Sequence, residues 1–147
     1  MDLHHGFEVL EHPADLLIRA YGETLEGAFL NAAWALYAHL FEAGSVEWMG
    51  EDGKLEFEAE DLDALLQGFL DELLYHFEVH RRIYRPKDAS IFQRNGTYIL
   101  VFTYGGTTTY DPEKHGIGTE IKAVTYHMME VGKRKEGGFY VQVLFDI

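Results

Sequence analysis

The sequence predicts an α+β fold, a single two-layer domain in which two amphipathic helices pack on one face of a mostly antiparallel sheet. The predicted elements follow one another in the order strand, helix, strands, helix, strands, which is typical of this fold class. A chain of 147 residues has the usual length of one domain, so we expect residues 1–147 to form one unit. The composition, 47% hydrophobic and 25% charged, is that of an ordinary globular protein. A mixed sheet remains an alternative.

The N-terminal part predicts two short strands and a helix. The strands cover Phe7–Leu10 and 16–21 and flank an irregular insert at 11–15. Thr24 is a suitable helix N-cap because its hydroxyl can accept a backbone N–H, and Gly44 is expected to end the helix. Apolar residues at three- and four-residue spacing define its buried face: Leu25, Ala28, Phe29, Ala32, Ala33, Leu36, Leu40 and Phe41.

The next segment predicts a hairpin and a second helix. Residues 46–49 and 55–58 have the pattern of two strands joined by the turn Gly-Glu-Asp-Gly at 50–53. The second helix starts after a cap at Asp61 or at its neighbour Glu60. Its apolar face is the clearest in the chain and consists of Leu62, Leu65, Leu66, Phe69, Leu70, Leu73, Leu74 and Phe77.

The pattern of the remaining residues, from 89 onward, predicts strands. Residues 89–93 and 98–104 flank Asn95-Gly96, a dipeptide that favours a tight hairpin turn. The polar segment 105–119 receives no regular element, and loops of this kind often carry function. Two further strands are predicted at 120–131 and 139–145.

Composition excludes several classes of function. The chain has no cysteine, which excludes disulfides, thiolate zinc sites and thiol nucleophiles. No apolar run is long enough for a membrane span and no signal peptide is visible, so we expect a cytoplasmic protein. Acidic residues outnumber basic ones 25 to 12, for a net charge of −13, so nucleic acid is a poor direct partner. Basic protein surfaces and cations suit this charge better.

Two aspartates are candidate cation ligands. Asp15 follows a proline-containing insert and is either a solvated turn residue or a ligand at a strand edge. Asp146 lies at the end of an apolar strand, so its carboxylate is expected close to the main-chain carboxylate of Ile147. These two neighbouring carboxylates repel each other unless a bound cation, or a Lys or Arg side chain, compensates their charge.

The sequence offers few residues for transition-metal binding or nucleophilic catalysis. Asp111 and His115 are four residues apart, which on a helix places them on one face, and His127 and His12 are further nitrogen donors. A hydrogen-bonded strand residue is the simpler role for His127, and His4 and His5 receive none. The chain has no nucleophile elbow and no phosphate-binding glycine loop.

Three segments together resemble the archease family. They are the stretch 11–20, Glu-His-Pro-Ala-Asp-Leu-Leu-Ile-Arg-Ala; the stretch 118–127, Gly-Thr-Glu-Ile-Lys-Ala-Val-Thr-Tyr-His; and the closing Phe-Asp-Ile at 145–147. The second stretch is highly specific, and the likeness spans nearly the whole chain. The first departs from the family's His-Thr-Ala-Asp-Val-Gly, with Pro13 in place of threonine and Leu16-Leu17 in place of Val-Gly, but Asp15 is kept.

The resemblance implies a function and a ligand set. Archeases are accessory proteins of the RtcB-type tRNA-splicing ligase and promote its guanylylation from GTP and its multiple turnover. By this resemblance the ligase binds the GTP, RNA is contacted only indirectly, and no membrane is involved. Asp15, Asp146 and Ile147 would hold a divalent cation, calcium in the first place with magnesium or manganese as alternatives, and these oxygen ligands suit hard cations. Asp111 and Lys122 are expected to face the partner.

Two other functions stay open at this point. One is a chaperone-like binding protein in which the acidic residues are structural. The other is a metal-dependent hydrolase in which Asp15, Asp146 and His115 hold an ion that activates water. Activity of the isolated protein on phosphoesters favours the hydrolase, and a requirement for a ligase favours the accessory protein.

Overall fold

Seven strands and two long helices make up the fold of the computed structural model, which describes residues 6–11 and 14–147. His4, His5, His12 and Pro13, to which the sequence drew attention, lie outside the described residues. The strands are β1 Phe7–Leu10, β2 Asp15–Gly22, β3 Met49–Ala59, β4 Arg82–Arg94, β5 Thr97–Thr109, β6 Ala123–Lys133 and β7 Phe139–Asp146. The helices are α1 Leu25–Leu40, α2 Leu62–His80 and the single turn α3 Pro112–His115.

The strands form two antiparallel sheets. The first has the order β1-β2-β7-β6 and the second the order β3-β5-β4. Helix α1 packs on β2 and β7 of the first sheet and on β4 of the second, while α2 packs on β6 of the first and on β3, β4 and β5 of the second. The α+β class and the antiparallel pairing are confirmed, with the strands divided between two sheets that share the same two helices.

Helix α1 starts where the sequence predicts and ends earlier. The Thr24 hydroxyl accepts the Gly27 N–H at 3.0 Å, which satisfies a free amide of the first turn. The helix ends at Leu40 rather than at Gly44, which lies in the short 3-10 turn Ala43–Ser45. Contact with both sheets explains why α1 is buried on nearly all sides.

Helix α2 confirms the predicted cap and apolar face. The Asp61 carboxylate accepts the Ala64 N–H at 2.7 Å. Arg81 closes the other end in a left-handed conformation, φ 57°, and its N–H donates to the Phe77 carbonyl. Residues buried on α2 are Leu65, Leu66, Phe69, Leu70, Leu73 and Leu74. Among the residues that the structure describes, 6–11 and 14–147, no helix is both long enough and apolar enough to cross a membrane.

The predicted hairpin over 46–58 is wrong. Met49–Ala59 is one strand, and its partner is β5, not a neighbouring segment of the same hairpin. The register shifts between Met49 and Asp52, and Gly50 has φ +83°. Glycine and acidic residues suit a bulge inside a strand as well as a turn, and the bulge absorbs the turn-like sequence here.

The second predicted hairpin is confirmed and is longer than expected. Asn95 and Gly96 both have positive φ, 53° and 80°, as a two-residue turn between antiparallel strands requires. The flanking strands extend to Arg82 and Thr109, so part of the segment predicted as irregular is strand. Strand β6 starts at Ala123, three residues after the predicted start at 120.

Candidate functional site

Asp15 and Asp146 lie directly opposite each other in the first sheet. Asp15 is the first residue of β2, Asp146 is the last residue of β7, and the two are register partners. Side chains of such a pair are on the same face of the sheet, with Cβ atoms roughly 4.5–5.5 Å apart. The apolar residues next to the pair, Leu16 and Phe145, are buried and fix the register. The two aspartates that the family resemblance assigns to one cation are therefore adjacent.

A third strand, β6, begins beside the pair. The end of the first sheet at which β2 and β6 begin and β7 ends is called the sheet edge below. Ala123, the first residue of β6, is also a register partner of Asp146. The Lys122 N–H donates to the Asp146 carbonyl at 2.7 Å, so the backbone of Lys122 is held against the end of β7. Lys122 and Ile147 are both exposed, and Ile147 follows the aspartate directly. The structure therefore brings Asp15, Lys122, Asp146 and Ile147 to one edge of the sheet.

The donor set at this edge consists of oxygen atoms. Two carboxylates directly opposite each other repel, and either a divalent cation that binds both or a nearby Lys or Arg side chain removes that repulsion. Within the described part of the chain, no three His, Cys, Asp or Glu side chains form a group that could hold a metal ion. The predicted ligand set contains two such side chains, and its third member is the main-chain carboxylate of Ile147. Oxygen donors of this type fit Ca²⁺, Mg²⁺ or Mn²⁺.

The segment that leads to Lys122 is anchored on the end of α1. The Gly118 N–H donates to the Leu40 carbonyl at 3.0 Å, and the Thr119 N–H donates to the His39 carbonyl at 2.7 Å. These bonds satisfy carbonyls that have no partner inside the helix. Ile121 is 1% exposed and anchors the segment in the core immediately before Lys122.

Gly118 is a position that the sequence did not single out. A Cβ atom added there would lie 2.2 Å from the His39 carbonyl oxygen, so backbone has to move to admit any side chain. The sequence shows this glycine as the first residue of the stretch 118–127. The need for a glycine there comes from contact with the end of α1, which is distant in sequence, so local patterns do not reveal it.

We expect Gly118→Ala to lower the free energy of unfolding by about 1–3 kcal/mol, because it breaks one or both hydrogen bonds to the end of α1. Urea denaturation measures this change. Gly68→Ala is the matched control: Gly68 lies in α2 with no atom within 4 Å of an added Cβ. The control is expected to gain about 0.5–1 kcal/mol. Equal stability of the two variants would contradict the anchoring role of Gly118.

Asp111 and His115 form a separate, local arrangement. The Asp111 carboxylate caps α3 by accepting the Glu113 N–H at 3.0 Å, and the Asp111 N–H donates to His115 Nδ1 at 3.0 Å. His115 is 5% exposed and its ring stacks on Tyr110. A cavity of about 620 Å³ borders both residues. The structure does not bring His115 into a three-residue group with Asp15 and Asp146.

His127 is exposed in an irregular part of β6. The pairing of β6 with β7 is interrupted between Thr125 and Glu130, and Met128 has φ 58°. His127 lies inside this interruption, so it is not held by regular strand pairing.

A groove bordered by two glutamates and by Arg81 lies between the end of α2 and the segment 117–121. It is a cavity of about 370 Å³ that Glu78 and Glu120 both border, together with Phe77 and Ile117. Burial raises the pKa of Glu78, and the charges of Glu120 and Asp71 raise it further. The sequence did not predict this groove, because its two acids are 42 positions apart and only the fold brings them together.

Comparison with known proteins gives consistent matches over the whole length. Residues 7–147 match the family model described as Archease protein family (MTH1598/TM1083). Protein archease of Pyrococcus furiosus is 39% identical over 141 residues, covering 96% of this chain and 98% of that protein. Protein archease of Pyrobaculum neutrophilum is 42% identical over 140 residues, covering 93% and 92%.

Two solved structures share the architecture. The solution structure of protein 1598 of Methanobacterium thermoautotrophicum has a TM-score of 0.78 and 32% identity, covering 97% of this chain and 99% of that chain. The crystal structure of an archease from Thermotoga maritima, described as a possible chaperone, has a TM-score of 0.58 and 19% identity, covering 98% and 99%. At that identity the second structure supports the fold alone.

Proposed function

Since the chain belongs to the archease family, we propose that it is a non-catalytic activator of an RtcB-type RNA ligase, acting in the cytoplasm through a carboxylate-bound divalent cation. The observation that supports this most is the register of β2 and β7, which sets Asp15 opposite Asp146. Together with the anchored segment before Lys122, it concentrates the residues of all three family-like segments at one edge of the sheet.

The proposed cation is calcium, with magnesium or manganese as alternatives. Asp15 and Asp146 would hold it through their carboxylates, and Ile147 through its main-chain carboxylate. When bound, such an ion supplies concentrated positive charge at the exposed sheet edge. The sheet holds the two aspartates in place. Their strands are paired and the residues next to them are buried, so the aspartate backbone does not have to become ordered when the cation binds.

The charge of the chain favours docking on a basic cleft. With a net charge of −13, the protein is complementary to the positively charged nucleotide and RNA cleft of a ligase and not to RNA itself. In this proposal GTP is bound by the ligase, and RNA is contacted only indirectly. Lys122 faces the partner from the sheet edge, and Asp111 does so from the cap of α3.

The experiment is a reconstitution with a purified RtcB-type ligase. Guanylylation of the ligase from GTP and the number of RNA joining cycles are measured with and without the chain. We expect faster guanylylation and a change from single to multiple turnover. A ligase that is indifferent to the chain under conditions where both proteins are folded would contradict the proposal.

We expect Lys122→Met to lose most of the stimulation while it retains cation binding. The substitution keeps the length of the side chain and removes its charge, and the backbone N–H that bonds Asp146 is unchanged. Ligase stimulation and calorimetric titration with Ca²⁺ measure the two properties separately. Lys54→Met, an exposed position on β3 of the other sheet, is the matched control and should stimulate normally. Stimulation by K122M equal to that by K54M would exclude Lys122 from the interface.

A chaperone-like binding protein is the second candidate. It is favoured by the description of the Thermotoga maritima archease as a possible chaperone and by exposed apolar side chains such as Ile117, 84% exposed, and Tyr126, 57% exposed. An assay for suppression of client aggregation separates it from the ligase activator. The hydrolase is not proposed, because His115 and the two aspartates do not form a group.

A further inference from the structure

The last two turns of α2 carry a pair of histidines that the ligase proposal does not use. His76 and His80 are four residues apart, and their ring centroids lie 5.5 Å apart with the planes tilted by 44°. Residues at this spacing face the same side of a helix. Two imidazoles one turn apart are the arrangement with which helices chelate transition metals.

The surroundings of His76 resemble the second shell of a metal ligand. Its Nε2 atom lies 3.0 Å from the Glu72 carboxylate, one turn earlier. Histidines that bind metals usually donate their other ring N–H to a carboxylate, which fixes the tautomer and raises the basicity of the free nitrogen. With the proton on Nε2, the lone pair of His76 is on Nδ1, which accepts a long hydrogen bond of 3.4 Å from the Tyr84 hydroxyl. A metal ion bound at Nδ1 would replace this bond.

The site is open, and carboxylates lie next to His76. The His76 side chain is 22% exposed and His80 is exposed, so water can complete a coordination shell. Glu72 and Glu56 border a cavity of about 310 Å³ next to His76, and His80 is the last residue of α2, at the negative end of the helix dipole. Two arginines, Arg81 and Arg82, follow His80 directly, and the Arg81 guanidinium lies over the Tyr110 ring, 5.8 Å from its centroid.

We propose that His76 and His80 form a bidentate site for a divalent transition-metal ion such as Zn²⁺ or Ni²⁺, with Glu72 as the hydrogen-bond acceptor that orients His76. Imidazole prefers these ions, whereas the oxygen donors at Asp15 and Asp146 prefer hard cations, so the two sites differ in metal. The site has two protein ligands, and water would complete the coordination shell. It is independent of the ligase proposal.

The test is a titration of the full chain with Ni²⁺ and Zn²⁺. Binding is measured by calorimetry and by the NMR signals of the imidazole rings. The chain used in the titration has the substitutions His4→Ala and His5→Ala, so that the N-terminal histidines do not contribute. We expect one saturable site and selective broadening of the His76 and His80 signals by Ni²⁺. Ca²⁺ should leave these signals unchanged.

Variants make the assignment specific. His76→Ala or His80→Ala should abolish metal binding. Glu72→Gln should weaken the affinity about 10-fold or more, because it removes the carboxylate that holds the ring of His76 in place. His127→Ala, an exposed histidine on β6, is the control and should bind as the parent does. Thermal melts without metal check that each variant is folded. The proposal is overturned if Ni²⁺ and Zn²⁺ give no saturable binding, or if folded H76A and H80A bind like H127A.

Discussion

Asp146→Asn is expected to abolish binding of a hard divalent cation at the edge of the first sheet and, with it, stimulation of the ligase. The substitution keeps the size of the side chain and leaves the backbone pairing with Asp15 and Ala123 in place. It removes one of the two charges that face each other, and affinity for Ca²⁺ depends on the charge of the ligands. Because the backbone pairing is unchanged, the cation-free variant should fold as the parent does.

Thermal melts with and without Ca²⁺ measure the effect. A ligand that binds only the folded state raises the free energy of unfolding by about 2.7 kcal/mol at 100 times its dissociation constant. The parent chain should show a rise in Tm with Ca²⁺, and Asp146→Asn should show none. Asp71→Asn, an exposed position on α2, is the control and should keep the rise. A calcium-dependent rise in D146N equal to that in D71N would refute the site.

Asp15→Asn should behave in the same way, and the double variant should be no worse than either single one. Two ligands of one ion are strongly non-additive, because losing either already removes the bound state. Additive losses in calcium affinity and ligase stimulation would mean that the two aspartates act at different places in spite of their register.

Elements of the fold that are encoded within one continuous segment could be predicted from the sequence. Helix α2 was predicted well, since its apolar face and the Asp61 cap are encoded within one continuous segment. The turn at Asn95-Gly96 was equally local, because both residues adopt the positive φ that the dipeptide favours. The glycines at 50 and 53 carry a similar signal, but there the long pairing with β5 overrides the turn.

The pairing of Asp15 with Asp146 required more than periodicity. Alternation placed Asp146 at the end of an apolar strand, and family resemblance supplied its partner, but no local pattern states which strand lies next to which. For the same reason the division into two sheets was not predicted. Both sheets share α1 and α2, and the periodicity of a helix reports that a face is buried without reporting what covers it.

Phe69→Ala is expected to lower the free energy of unfolding by about 3–5 kcal/mol. Phe69 is fully buried on α2, and its ring contacts Phe29 of α1, Phe57 of β3 and Phe102 of β5, with centroids 6.3, 5.4 and 5.1 Å away. Removing the ring leaves a cavity where the two helices meet the second sheet. Because small domains are stable by about 5–15 kcal/mol, this is a large share of the total.

Urea denaturation measures the loss, and Phe92→Ala is the matched control. Phe92 lies on β4 of the same sheet and is 42% exposed, so its truncation should cost about 1 kcal/mol or less. The aspartate pair belongs to the other sheet, so folded Phe69→Ala should bind Ca²⁺ with the affinity of the parent chain. Equal destabilisation by F69A and F92A would show that Phe69 is not central to the core. A loss of calcium affinity in folded F69A would show that the second sheet helps to position the ligands, which the strand register alone does not require.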